Sequence, residues 1–280
     1  MTTYRNPAID EALGAPTLLF GQPEVRLPRA ELAAAVAALP AEARARGCTQ
    51  VLGPMDGSTW RSYRAVLERS GASFVGDLET HADLPEVLAK AGYRVTERYA
   101  STSLSRKAAD RSIRDYRTHT CGRAEDVRLR PVTSADFLAE VEALYPLVTA
   151  AFSRNRLYSP IGREDFLALY RPLASVVRDG WLRVAEVDGR AVGFVLFLED
   201  PRGLVIKTLG RLPGDRLRAM GVAPERLGAA MALRSFEHFL ASGHGRLVSA
   251  LMHEANPSYA RSLDFGGAVV ARYGLFGREL

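Results

Sequence analysis

Four arginines, Arg211, Arg216, Arg218 and Arg226, fall within sixteen residues of each other, interleaved with Gly214 and Gly221 and followed by Gly228. A guanidinium is a planar fork that grips phosphate or carboxylate with two parallel hydrogen bonds, so this cluster suits an anionic partner such as a nucleotide cofactor. A solvated loop would also carry such a group. Only Lys90, Lys107 and Lys207 are lysines among the 37 basic residues, and an Ala- and Arg-rich chain is equally the mark of a GC-rich genome. Other chemistries lack their residues. No serine sits in a Gly-x-Ser-x-Gly elbow, and no lysine closes a glycine-rich phosphate loop. The five histidines are scattered, and His253-Glu254 has no second histidine at zinc spacing. Cys48 and Cys121 cannot build a disulfide framework or a four-cysteine zinc site and are expected as packed free thiols.

The elements that must position these residues begin with composition. At 280 residues and 47% hydrophobic, the chain can bury a substantial core, as one large domain or two of about half the length. Net charge is +5 and mean hydropathy −0.07, and no apolar run approaches the roughly 18 residues of a membrane span. Met1 to Asp10 has no apolar leader core, so a cytoplasmic protein without membrane contact is expected. Aromatics are 8% and do not interleave with a basic stripe, which argues against a nucleic-acid partner.

Apolar spacing predicts a helix over Pro28–Gly47 that Pro40 divides or kinks, then a buried strand Thr49–Met55. A helix Trp60–Arg69, a short helix Asp83–Ala91 and a long strand Tyr93–Leu104 follow. Ser105–Ala124 is strongly charged with little apolar periodicity and reads as a connector. Beyond it come a strand Val127–Pro131, a helix to Tyr145, an irregular stretch, and a helix Glu164–Val177. A meander of three strands follows, Trp181–Val187, Ala191–Leu198 and Leu204–Gly210, with Asp188-Gly189 as the first hairpin turn. A long helix to Leu240, a strand Leu247–Met252, a turn at Asn256-Pro257 and a strand Ala268–Phe276 complete the chain.

The two halves echo each other. Helix, Gly47, strand Val51–Met55, Ser58, Gly92 and the strand with Arg98-Tyr99 correspond to helix, Gly243, strand Val248–Met252, Ser258, Gly267 and the strand with Arg272-Tyr273. Any two α/β halves would show part of this.

The order of elements from Val127 on, with Val205-Ile206-Lys207-Thr208-Leu209, Ala250-Leu251-Met252 and Arg272-Tyr273, resembles the GNAT superfamily of acyl-CoA-dependent N-acyltransferases over about 155 residues. The first half, with Leu52-Gly53-Pro54-Met55, Ser58-Thr59-Trp60 and Tyr63-Arg64, resembles the degenerate repeat of tandem GNAT proteins. The resemblance implies an α/β (α+β) chain of two GNAT-like mixed-sheet domains in tandem, the first truncated or degenerate: 1–104, a linker 105–125, and an acyl-CoA-binding domain 126–280.

It also implies acetyl-CoA or another acyl-CoA as cofactor. The family holds the pyrophosphate on backbone amides where a helix begins, using Gln or Arg, two residues, Gly, one residue, Gly or Ala. Arg218-Ala219-Met220-Gly221-Val222-Ala223 fits in full and is the preferred loop. Glu225-Arg226-Leu227-Gly228-Ala229-Ala230 fits the family's helix length better but places a carboxylate where a base is expected. By position, Leu209, Gly210 and Arg211 would bind the pantetheine arm and polarise the thioester, and Asn256 and Ser258 would sit beside it.

An acceptor ammonium must lose a proton before attack. The family's strand glutamate is absent from Leu204–Gly210, and its tyrosine is replaced by Leu263. His253, Glu254 and Tyr259 are the candidates by proximity, each of them also readable as structural. The expected activity is acetyl transfer to a primary amine of a small molecule. A non-catalytic CoA-binding scaffold, or an amide-forming enzyme using an acyl-carrier protein in specialised metabolism, are the alternatives. A homodimer is also left open.

Overall fold

A computed structural model describes residues 1–119 and 127–280. The first half runs β1 (Thr3–Tyr4), α1 (Pro7–Leu13), β2 (Thr17–Phe20), α2 (Arg29–Ala45), β3 (Gln50–Gly53), β4 (Ala65–Arg69), α3 (Leu84–Lys90), β5 (Arg94–Ser105) and α4 (Arg106–His119). The second runs β6 (Arg128–Pro131), α5 (Phe137–Phe152), α6 (Arg163–Tyr170), β7 (Leu182–Val187), β8 (Arg190–Asp200) and β9 (Gly203–Arg211). It ends with α7 (Gly214–Ala219), α8 (Pro224–Ala241), β10 (Arg246–His253), α9 (Pro257–Asp264) and β11 (Ala268–Glu279).

All the strands join one mixed sheet in the order β1-β2-β3-β11-β5-β10-β9-β8-β7-β6, with β4 also on β11. The halves exchange partners. β11 pairs with β3, β4 and β5 of the first half, and β10 pairs with β5. The echo in the sequence therefore becomes a register: Tyr99 lies opposite Tyr273, and Arg98 opposite Gly274. Around this centre, β2 runs parallel to β3 as β9 runs parallel to β10.

Helices cover both faces. α5 and α6 bury Phe137, Val141, Leu144 and Phe166 on one face, where Phe74 of the first half joins them. α8 lays Leu227, Met231, Phe236 and Phe239 on the other. In the first half α2 and α3 supply Leu32, Val36, Leu39, Leu84 and Leu88. Pro40 and Pro146 lie inside α2 and α5, and the chain stays helical through both, so α5 runs on to Phe152. Cys48 is a buried free thiol; Cys121 lies outside the described residues.

Two expectations are corrected. Trp60–Arg69 is not a helix: Arg64 takes a φ of +75°, which breaks any right-handed helix, and Ala65–Arg69 joins β11 as β4. The charged segment from Ser105, expected as a connector, is helical over Arg106–His119, which is α4. Ala109, Ser112 and Ile113 form a narrow buried stripe at helical spacing facing α8 and α9, too thin to register against so many charges.

Candidate functional site

The parallel pairing of β9 with β10 is short. Leu204, Val205 and Ile206 match Leu247, Val248 and Ser249, and there it stops. β9 continues against β8 as far as Gly193↔Arg211, while β10 continues against β5, so the two strands splay into a wedge. Both strands are irregular at its apex. In β9 the pairing steps from Leu196↔Thr208 to Phe197↔Ile206 and leaves Lys207 as the bulged residue. In β10 the register slips between Ser249 and Met252, where Leu251 sits at φ +57°. Bulges of this kind re-aim side chains and end pairing. Leu209, Gly210 and Arg211 line the open edge of β9, and that edge presents backbone groups to no described strand.

The start of α8 stands at the wide end. Of the two glycine patterns, the first is spent on closing α7: Gly221 at φ +74° donates its amide to Arg218 O, and the Val222 amide bonds Leu217 O. This is the glycine C-cap of a short helix. Ala223 begins α8, Pro224 has no N–H, and Leu227 is the first amide bonded within the helix, so the amides of Glu225 and Arg226 lack helical acceptors. A helix start favours anions, and the charges there agree. Arg211 lies in the field of Arg218, Arg261 and one carboxylate, Glu225, whose Oε1 is 3.5 Å from Arg218, and Arg261 Nη1 donates to the Glu225 carbonyl at 3.4 Å. Gly228 sits one turn further on, where an added Cβ would come 3.8 Å from Arg211 Nε. Arg261, from α9, was not anticipated; only the tertiary fold brings it here.

On the face that carries α5 and α6, the wedge apex opens onto a polar centre built by both halves. Glu97, Tyr99 and Ser101 alternate along β5 and share one face. Ser101 Oγ accepts the Leu251 amide at 2.9 Å and lies 3.2 Å from the Tyr273 hydroxyl, which donates to Asp77 Oδ1 at 2.7 Å. Arg69 Nη2 stands 2.9 Å from Asp77 Oδ2. Burial and the Asp77 charge push the Tyr273 phenol well up, so it stays a donor. Arg64, 3% exposed, packs against the rings of both Tyr63 and Tyr99, its Cζ 3.7 and 4.1 Å from their centroids, and donates to Leu251 O at 2.9 Å. The rings offset part of the cost of burying that charge. Lys207 Nζ donates to Gly76 O at 2.9 Å.

The three proton-transfer candidates do not come together. His253 Nδ1 accepts the Ala255 amide at 3.0 Å, which leaves Nε2 to carry the hydrogen and donate to Glu97 Oε2 at 2.8 Å. The second Glu97 oxygen is ion-paired with Arg156 of the α5–α6 loop. Both His253 ring nitrogens are thus engaged. Glu254 pairs with Arg272, which also holds Glu68 at 2.8 Å and bonds Tyr259. Arg272 alternates with Tyr273 and so points to the opposite face of β11. Asn256 starts α9 with no side-chain cap bond, and Ser258 is exposed in its first turn. The Glu97–His253 pair and the Arg64–Lys207–Asp77 group were not singled out from sequence. The usable signal was Lys207, the one charge within Leu204–Gly210.

Among the described residues there is no cluster able to hold a metal ion, and no helix long and apolar enough to cross a membrane. No family model matches the chain. It is similar to a bacterial ceramide synthase of Caulobacter vibrioides, 26% identical over 151 residues, which is 51% of this chain and 38% of that protein. The match thus spans well under half of that relative's length. Among solved structures, a GCN5-related N-acetyltransferase of Sphaerobacter thermophilus is 15% identical with a TM-score of 0.51, covering 99% of this chain and 75% of its own. A tandem GNAT protein from the clavulanic acid biosynthesis pathway is 16% identical with a TM-score of 0.50, covering 95% and 76%. A probable N-acyltransferase of Enterococcus faecalis matches at 11% and 0.50, covering 95% and 54%. The chain has the fold of the GCN5-related N-acetyltransferases, and the likeness runs through both of its halves.

Proposed function

We propose that the chain is an acyl-CoA-dependent N-acyltransferase that moves an acyl group, acetyl in the simplest case, directly from the thioester to a primary amine of a small molecule. The observation that carries this is the open wedge between β9 and β10, with an unpaired backbone edge on one side and a basic helix start at its wide end. A thioester supplies an activated acyl carbon. The chain must supply anion binding, a polarising donor and a place for the amine. In this reading the amides of Glu225 and Arg226, with Arg211, Arg218 and Arg261, take the pyrophosphate. Backbone donors of Leu209–Arg211 line the pantetheine arm, and one preorganised donor at the thioester oxygen contributes about 3 kcal/mol to the transition state. The acceptor enters on the face covered by the segments 54–83 and 153–162. The first half then shapes the acceptor side and binds no cofactor.

Titration of acetyl-CoA and CoA by calorimetry tests this. Micromolar binding at one per chain is expected, lost in Gly228→Glu, whose side chain would reach for Arg211 inside the site. Gly221→Glu is a poorer probe, because φ +74° strains any side chain there whatever the ligand. No binding of either ligand by the native chain overturns the proposal.

The ceramide synthase likeness favours one variation. A ceramide is the amide of a fatty acid and a long-chain amino alcohol, so a longer acyl-CoA and an apolar acceptor belong in the same assay. Turnover of palmitoyl-CoA in preference to acetyl-CoA would select it.

A further inference from the structure

Lys207 stands where both irregularities of the sheet meet. It is the bulged residue of β9, one position beyond the last pair with β10, in a strand otherwise made of Leu204, Val205, Ile206, Thr208 and Leu209. Its ammonium is partly exposed, bonds only a backbone carbonyl, and has no carboxylate within ion-pair reach among the described residues. The charged groups that act on it are Arg64 and Asp77, and Asp77 is already shared by Tyr273 and Arg69. From α5, packed across β9, Glu140 and Glu142 turn instead to Arg130 and Arg163. The other candidate bases are spent: His253 has both nitrogens bonded, and Glu97 and Glu254 are held by arginines.

We propose that Lys207 is the catalytic base of the acyl transfer, a role that rests on reading the wedge as the thioester site. Unprotonated Nζ takes one proton from the acceptor ammonium. The freed lone pair adds to the thioester carbon, the C–N bond forms and the C–S bond breaks. The sulfur leaves as thiolate and is neutralised by a second proton of the adduct nitrogen. Lys207 returns its proton to solvent, so the products are amide, free thiol and one proton. Burial, with the Arg64 charge, pushes the ammonium down to about 8, which leaves a usable neutral fraction near neutrality; an ordinary lysine would have almost none. A base works best when its pKa is near the working pH.

With only three lysines in the chain, the titration can be read residue by residue. Trace acetylation by acetic anhydride from about pH 6 to 11, followed by mass spectrometry, should give Lys207 a midpoint near 8. A Lys207 midpoint at the ordinary lysine value of about 10.4 would overturn the proposal without any turnover assay. In turnover, with an acceptor whose own ammonium titrates near 10, native kcat/KM should rise through pH 8. Lys207→Met and Lys207→Arg should both lose that rise and about 10²- to 10⁴-fold in rate, with acyl-CoA affinity kept within about twofold. A rate restored by Lys207→Arg would make the residue a fixed charge and sink the base. An inert native protein across a broad amine panel would remove the acyl-transfer reading and the base with it. Failure of the base alone leaves the native protein active.

Discussion

The molecule holds the same strand–helix–strand unit twice, and only one copy stands open. In the first half, β2 and β3 pair from Thr17↔Gln50 to Leu19↔Leu52, and the seam then continues. The Met55 amide donates to Phe20 O at 2.7 Å, and Asp56 Oδ1 takes the Gln22 amide at 3.0 Å. The Phe20 ring lies against Gly53 so closely that a Cβ there would collide with it. In the second half, β9 and β10 part after Ile206 and Ser249, and among the described residues no backbone hydrogen bond joins them again. The helix starts differ in the same sense. Arg29 at the start of α2 is tied to Asp83 and Glu86, both at 2.7 Å, whereas at the start of α8 Arg211 and Arg218 have the single carboxylate of Glu225 between them. The first unit has spent its donors and cations on itself, which suits it to shape and support. In the proposed function the second keeps them for the cofactor.

The largest test of this division is to separate the halves. Because β10 and β11 both rest on β5, fragments cut within residues 120–126 should each fail to fold, seen as loss of a cooperative thermal transition. A 127–280 fragment that melts cooperatively and binds acetyl-CoA would break the claim of mutual dependence. Next, Trp60→Ala should cost about 3 kcal/mol in urea unfolding. It removes the ring packed on Phe152, Tyr158 and Phe166, together with the bond from Nε1 to Ser159 O at 2.8 Å. A loss well below that would mean the loop 54–64 is loosely held.

Charge reversal compares the two helix starts directly. Arg211→Glu should weaken CoA about a hundredfold by calorimetry, while Arg29→Glu leaves the affinity unchanged. Equal effects would mean the basic cluster is not the anion site. The smallest effect concerns pH. His238 packs on Phe197 and accepts from Arg183 Nη2 at 3.1 Å; burial first, then Arg183 and His244, push its pKa down to about 4. The folded chain refuses a proton that the unfolded chain accepts below about 6.5, so its contribution is complete above that value and is lost as pH falls towards 4. His238→Gln should flatten the fall of the urea midpoint between pH 6.5 and 4; an unchanged slope would locate the acid sensitivity elsewhere.

Sequence by itself determined the elements whose cause is local. Alternation located β5, and Asp188-Gly189 between alternating runs located the β7–β8 hairpin, because period and turn chemistry act within a few residues. The repeat was legible as well, since Tyr99 and Tyr273 stand at corresponding places in the two halves. What they do was not: that they face each other across β5 and β11 depends on the halves exchanging strands. The same limit hid β4, where one positive-φ residue, Arg64, decides against a helix, and α4, whose buried stripe matters only once α8 and α9 lie beside it. For the site, the arginines near α8 were visible in order, but Arg261 joins them from another helix, and Gly221 proves to be the cap of a short helix that its own spacing does not announce. Lys207 was in plain view as one charge in an apolar strand. Only the tertiary structure gave it a bulge, an open wedge and two charged neighbours from the other half of the chain, because pKa and reach belong to the surroundings of a side chain and those are set by distant segments.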